Sequence, residues 1–218
     1  MLSHSEENYL KAIYHLSLTE EEGISTNSIA SKVDTKASSV TDMLKKLNQK
    51  QLINYQKYKG VLLTNLGIHT AKMIIRKHRL WEVFLVEKLN FNWDEVHEIA
   101  EELEHIKSEK LINALDTFLG FPKEDPHGDP IPNAKGKIHS REKQLLSESI
   151  ENRQYICVGV KDSSSDFLQY LDRQNIALGT KMKVVKKEIF DQSITVLFNE
   201  NEVVLSKIVT QNLFVKEC

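Results

Sequence analysis

A chain of 218 residues with 40% apolar and 28% charged side chains, eight glycines and four prolines can build real cores and is not disordered. Its two cysteines, Cys157 and Cys218, stand far apart in no motif. That excludes a disulfide framework and a thiolate zinc knuckle, and suits a reducing compartment. No run of about 18 apolar residues and no leader-like apolar stretch occurs, so a cytoplasmic protein of two or three small domains, with no membrane partner, is expected.

The net charge of −2 hides an asymmetry. Residues 24–77 carry ten Lys or Arg against two acids, Asp34 and Asp42, whereas residues 78–138 carry seven basic residues against thirteen acidic ones. The plain reading is solvated surface charge. The split favours a polyanion binder joined to a cation binder.

Residues 5–18 open with Ser5 as an N-cap and Glu6 and Glu7 in the first turn; Tyr9, Leu10, Ile13, Tyr14 and Leu16 make an apolar helical face. A polar break at Glu20–Gly23 precedes a short helix over Thr26–Val33, a turn around Asp34–Lys36, and a longer helix over Ala37–Leu47 with Val40, Met43, Leu44 and Leu47 inward. Two short helices on a tight turn suit a helix-turn-helix, whose second helix brings its N-terminal residues nearest the base edges. Ser38, Ser39 and Thr41 stand there, small hydroxyls that allow close approach to phosphates or bases, with Thr35 and Lys36 just before and Lys45, Lys46 and Lys50 placed for phosphates. Leu52–Thr64 reads as two short strands around Lys57, Tyr58, Lys59 and Gly60, a basic hairpin that suits the wing of a winged helix. Each side chain alone would pass for an ordinary exposed polar residue; the order of the elements favours the functional reading.

A long helix from Ile68 to Lys88 carries His78 and Glu82 at i, i+4. A turn at Asn90–Trp93 follows, with Asp94 as cap, and then a helix over Val96–His105. Val96, Ile99, Ala100 and Leu103 form its buried stripe, and Glu98 and Glu102 a solvated face. His97, Glu101, Glu104 and His105, at i, i+4, i+7 and i+8, project to one side. Glu-rich helices usually leave their carboxylates in water. Six nitrogen or oxygen donors on two helices, none of them sulfur, point instead to a metal site. A further helix, Ser108–Leu119, turns Leu111, Ile112, Leu115 and Phe118 inward and ends at Gly120. Phe121–Pro132 holds all four prolines and is irregular; its His127 reads as a structural turn residue.

Residues 133–150 are polar, a linker with a helical piece near Ser140–Ile150. From there alternation takes over, with strands at Tyr155–Val160, Lys181–Ile189, Ser193–Phe198 and Val203–Leu205 around a helix at Ser164–Gln174, a pattern that suits a small SH3-like barrel.

The segments ENYLKAIYHL, SSVTDMLKKL, YQKYKG, HRLWE, HEIAEELEH and PHGDPIP together resemble the diphtheria-toxin-repressor family of metal-dependent transcriptional repressors, in particular its manganese-responsive branch. The resemblance implies a mainly α fold with a small C-terminal β domain: a winged helix-turn-helix over 1–66, a helical dimerisation and metal-binding domain over 67–138, a linker over 139–152 and an SH3-like (FeoA-like) domain over 153–218. It implies a homodimer that binds a pseudo-palindromic double-stranded operator and represses metal-homeostasis genes, with metal as co-repressor at two sites per subunit. His78, Glu82 and His97 match the ancillary site; Glu101, Glu104 and His105 match the primary one. Glu101 stands where iron-type members have Cys, which points to Mn²⁺ over Fe²⁺, and hard oxygen ligands agree. Two departures stand out. Asn8 replaces an Asp ligand, with Glu7 as an alternative donor, and Lys11 replaces a Glu and cannot ligate while charged. In three-domain members the C-terminal domain supplies an ancillary ligand, for which Asp166 is the match here and Asp162 the alternative.

Two rivals stand beside this reading: a helical dinuclear-metal hydrolase, and a winged-helix regulator sensing an organic ligand. The stretch His97-Glu98-Ile99-Ala100-Glu101 is not an HExxH motif, and no nucleophile or Gly-rich phosphate loop accompanies it. A protein that is not an enzyme and has no organic substrate is expected.

Overall fold

The computed structural model describes residues 2–20, 23–56, 60–139 and 141–218, which fall into two compact units. The first comprises Met1–Trp81, Ala100–Leu115 and Pro132–Ile138; the second comprises Glu82–Ile99, Asp116–Ile131 and His139–Cys218. Among the described residues, no helix is long and apolar enough to cross a membrane.

In the first unit α1 (His4–Ser17) starts earlier than Ser5 would place it. The reason is a capping box: the Ser3 hydroxyl accepts the Glu6 N–H at 3.3 Å, and the Glu6 carboxylate accepts the Ser3 N–H at 2.8 Å. Ser25 caps α2 (Thr26–Lys32) by accepting the Ser28 N–H at 2.9 Å. The chain then turns through Asp34 at φ +48° into α3 (Ala37–Gln49). β1 (Ile53–Gln56) pairs antiparallel with β2 (Gly60–Leu63), Ile53 opposite Leu63. The expected hairpin is therefore present, while Lys57, Tyr58 and Lys59, expected as DNA contacts, lie outside the described residues. Leu10, Ile13, Ile29, Val40, Leu44, Leu47, Ile53 and Val61 pack with Ala71 and Ile74 of α4 (Asn65–Leu89) into one core. Gly67 lets α4 start there, because a Cβ at that position would come within 1.9 Å of the Leu52 carbonyl oxygen.

α5 (Val96–Leu103) stops before the expected end of its pattern, so Glu104 and His105 lie in the turn beyond it. Of its expected stripe, Val96 and Ala100 are fully buried and Ile99 and Leu103 half-buried, while Glu98 and Glu102 are exposed. In α6 (Glu109–Phe118) only Ile112 and Leu115 are buried. Leu111 and Phe118, expected inward, are 43% and 64% exposed, since so short a helix covers a single narrow stripe.

The second unit is built on a six-stranded antiparallel sheet. Its strands are β3 (Gln144–Leu145), β4 (Gln154–Val160), β5 (Lys181–Lys187), β6 (Ile194–Phe198), β7 (Asn201–Leu205) and β8 (Leu213–Glu217), ordered β3-β8-β4-β5-β6-β7. Bulges at Cys157/Gly159 and Val184/Lys186 bend it. α7 (Ser165–Arg173) and the short α8 (Lys207–Thr210) complete it, and Leu146, Tyr155, Leu168, Leu171, Val184, Val196 and Leu213 fill the core. A linker is expected over 139–152, with a helical piece near Ser140–Ile150. Instead Gln144 and Leu145 pair with β8, and among the described residues a single 3₁₀ turn, Leu146–Glu148, follows. β8 and α8 were not anticipated. The proline-rich turn is seated on β4: the Val160 N–H donates to the His127 carbonyl at 2.9 Å, and Gly128, at φ +83°, leaves no room for a Cβ, which would fall 2.2 Å from the Val158 carbonyl oxygen.

Candidate metal centre and nucleic-acid face

In the first unit the last turn of α5 faces α1. Glu104 is fully buried. Its two oxygens accept from the Lys11 ammonium at 2.8 Å each, and Glu101 Oε1 accepts from the same nitrogen at 2.5 Å. His78 Nδ1, on α4, donates to Glu104 Oε2 at 2.7 Å. Burial pushes the Glu104 carboxyl up, but the His78 hydrogen bond and the Lys11 charge outweigh it and hold it below the usual carboxylate range. His78, Glu101 and Glu104 can bring one donor atom each within 4.8 Å of one another.

His105 is not part of that group. It lies beyond the end of α5, so the i+8 spacing no longer directs it; its Nδ1 donates to Glu7 Oε2 at 2.5 Å and its ring stacks on His4. Lys77 stands 4.0 Å from Glu7; burial lowers its ammonium pKa, against the pull of Glu7 and Glu104. Asn8 follows Glu7 on α1, and its side-chain oxygen is buried with no hydrogen-bond partner among the described residues. Such a buried amide oxygen has the chemistry to serve as a neutral ligand to a cation.

The second unit holds another convergence. Glu82, Asp125 and His127 are all buried and can bring their donor atoms within 4.8 Å. His127 Nε2 donates to the Trp93 carbonyl at 2.8 Å, which turns Nδ1 towards Glu82 Oε1 at 3.6 Å. A lone pair facing a carboxylate needs a proton or a cation between them. Burial lowers the His127 pKa, but Glu82 and Asp125 outweigh it and the net shift is upward. His97 is exposed and sets Nδ1 3.5 Å from the same Glu82 oxygen. Ligand histidines commonly give their second N–H to a backbone carbonyl, as His127 does. Sequence spacing does not single out His127 and Asp125 as donors, since only the fold brings the proline-rich turn to Glu82 of α4.

Asp166 lies exposed in the first turn of α7, and Asp162 accepts the Ser164 N–H at 2.8 Å; neither joins these clusters. Instead α7 holds the turn before α5: Trp93 Nε1 donates to Asp172 at 3.0 Å and Gln169 Nε2 to Asp94 at 2.8 Å.

Both clusters offer nitrogen and oxygen donors suited to a hard or borderline divalent ion. The Glu82 cluster fits as it stands. The Glu101–Glu104 cluster fits once the Lys11 ammonium has moved.

Also in the first unit, Thr35, Lys36, Ser38, Ser39, Lys45 and Lys46 are exposed just before and along α3. Thr41 is half-buried and its hydroxyl donates to the Ala37 carbonyl, while Lys45 pairs with Asp42 at 3.1 Å. No side chain caps the N-terminus of α3, which leaves its first N–H groups open to a phosphate.

Family models match along the chain: the iron dependent repressor N-terminal DNA binding domain over residues 1–61, the iron dependent repressor metal binding and dimerisation domain over 64–133, and the FeoA domain over 144–217. An uncharacterised HTH-type transcriptional regulator of Methanocaldococcus jannaschii is 37% identical over 54% of this chain and 94% of its own length. The HTH-type transcriptional regulator MntR of Oceanobacillus iheyensis is 32% identical over 67% of this chain and 97% of its own. A solved manganese-dependent transcriptional repressor in complex with manganese superposes with a TM-score of 0.86 at 31% identity, covering 98% of this chain and 100% of that one. A winged helix-turn-helix, paired clusters of carboxylate and imidazole donors and these matches agree, and the chain belongs to the iron-dependent repressor family of metal-dependent transcriptional repressors.

Proposed function

We propose that the protein is a homodimeric repressor of metal-homeostasis genes, with Mn²⁺ as co-repressor and a pseudo-palindromic duplex as target. The observation that carries this is the donor chemistry: Glu101 and the buried Glu104 with His78, and Glu82 and Asp125 with His127 and His97, with no thiolate among them. Carboxylate-rich sets suit Mn²⁺ and give no preference to softer ions. When bound, a divalent ion supplies a double positive charge that several carboxylates share.

The chain's own part is mechanical. α1 carries Glu7, Asn8 and Lys11 towards the segment after α5, and packs Leu10 and Ile13 into the core that positions α3. The Lys50 ammonium, at the end of α3, lies 2.7 Å from Glu6 of α1. Fixing α1 therefore fixes the recognition helix. In a dimer two such helices must lie about one or more turns of DNA apart. Ser38 and Ser39 approach base edges or phosphates, and Lys36, Lys45 and Lys46 meet the backbone.

Gel retardation of a duplex selected by the protein from a random library in Mn²⁺ tests this. Retardation in Mn²⁺ that is lost in chelator and weakens steeply with salt is the expected result. Equal retardation in both would overturn the reading, and retardation with Fe²⁺ under anaerobic conditions but not with Mn²⁺ would reassign the metal.

A further inference from the structure

The Glu101–Glu104 cluster already holds a cation, and it is part of the chain. The Lys11 nitrogen touches three carboxylate oxygens at 2.5 to 2.8 Å, and its side chain is only 13% exposed. A hard divalent ion bound to the same oxygens would sit about 2 to 2.6 Å from them, in the volume the ammonium fills. Two cations cannot share that space.

The charges around the cluster say the same. Glu7, Glu101 and Glu104 face Lys11 and Lys77, so the group is close to neutral without a metal. A divalent ion added to both lysines would leave a buried excess of positive charge, whereas one that replaces Lys11 would not. Without either cation, His78 would be the one hydrogen-bond partner left to the fully buried Glu104 carboxylate among the described residues, a costly state for such a group.

We propose that Lys11 is a tethered cation that stands in for the divalent ion at the Glu101–Glu104 site, so that metal enters only by displacing it. Two consequences follow. α1 is latched to the end of α5 in the metal-free protein, and the affinity of this site for metal is attenuated by the work of removing Lys11. The proposal rests on the metal-dependent reading above, and deepens it by giving this chain a metal threshold set by one side chain.

The test is Mn²⁺ uptake by the full-length protein, followed by calorimetry and by the loss of the free-ion electron paramagnetic resonance signal, in wild type, Lys11→Met and Lys11→Arg. Hydrogen exchange of α1 in the metal-free proteins is measured alongside. Lys11→Met should bind Mn²⁺ at this site more tightly by about tenfold or more, and its metal-free α1 should exchange faster than that of wild type. Lys11→Arg, which keeps the charge, should follow wild type in both. Should Lys11→Met fail to fold without metal, recovery of folding on Mn²⁺ addition supports the proposal, and failure of both Lys11→Met and Lys11→Gln to recover overturns it. Unchanged or weaker uptake by Lys11→Met, or unchanged α1 exchange, overturns it as well. DNA binding by the wild type separates the two claims. If it depends on Mn²⁺ while Lys11→Met binds the ion no better, only the role of Lys11 falls. If wild type binds DNA without regard to Mn²⁺ while Lys11→Met gains uptake, the role of Lys11 stands and the co-repressor reading falls.

Discussion

Glu104 is the side chain on which the first cluster depends. It is buried, accepts from Lys11 through both oxygens and from His78 through one, and sits in the turn just beyond α5, where helical periodicity does not predict burial. Glu104→Gln keeps its shape and removes its charge. Mn²⁺ uptake at this site should fall by more than about tenfold, since one neutral oxygen replaces a carboxylate. The sedimentation coefficient should stay that of wild type. A Glu104→Gln protein with wild-type uptake would show that the ion sits elsewhere. Lys11 was visible in the sequence as a departure from the family pattern, a cation where a carboxylate is expected. What it does there was not visible, because that depends on side chains ninety residues away meeting α1.

α1 is the element through which a change at the carboxylates can reach α3. Its capping residue Glu6 also pairs with Lys50 at the end of α3. Burial pushes the Glu6 carboxyl up, but the hydrogen bonds and charge of Lys50, together with those from Ser3, prevail and lower it from its ordinary 4.5. A depressed carboxyl stabilises the fold above its unfolded value and ceases to as pH falls through its folded value. Glu6→Gln should therefore lower stability near neutral pH by roughly 1 kcal/mol, a modest figure because Lys50 is 39% exposed. In thermal melts the gap to wild type should close as pH falls below the ordinary value. A gap that is constant across that range would mean the pair contributes nothing. The helices of this region were legible because Val40, Leu44 and Leu47 repeat at helical spacing and the fold uses that face. The end of α5 was not: Glu104 and His105 suit a helix as well as a turn, and only the contacts of the turn with α1 decide. Gln144, Leu145 and β8 escaped for a related reason, since a two-residue strand has no period to read until its partner is known.

For the molecule as a whole, the exposed apolar side chains indicate what a single chain leaves uncovered. In the second unit Phe118 and Phe121 are 64% and 62% exposed and Leu89 is 51% exposed, with the Phe84 ring 6.3 Å from that of Phe118. In the proposed homodimer a second copy would cover such side chains. Phe118→Glu should convert dimer to monomer in sedimentation velocity and weaken duplex binding, because one recognition helix then acts without its twin. A variant that remains dimeric would place the interface on another face.

On the proposed function, ion occupancy decides whether the protein holds a duplex. Linkage makes this testable from either side: if Mn²⁺ raises affinity for DNA by some factor, DNA must raise affinity for Mn²⁺ by the same factor. Titrating the wild-type protein with a selected duplex at a series of free Mn²⁺ concentrations, and with Mn²⁺ in the presence and absence of that duplex, measures both. The expected result is equal coupling of about tenfold or more in each direction. A duplex affinity that does not move between chelator and saturating Mn²⁺ would contradict it.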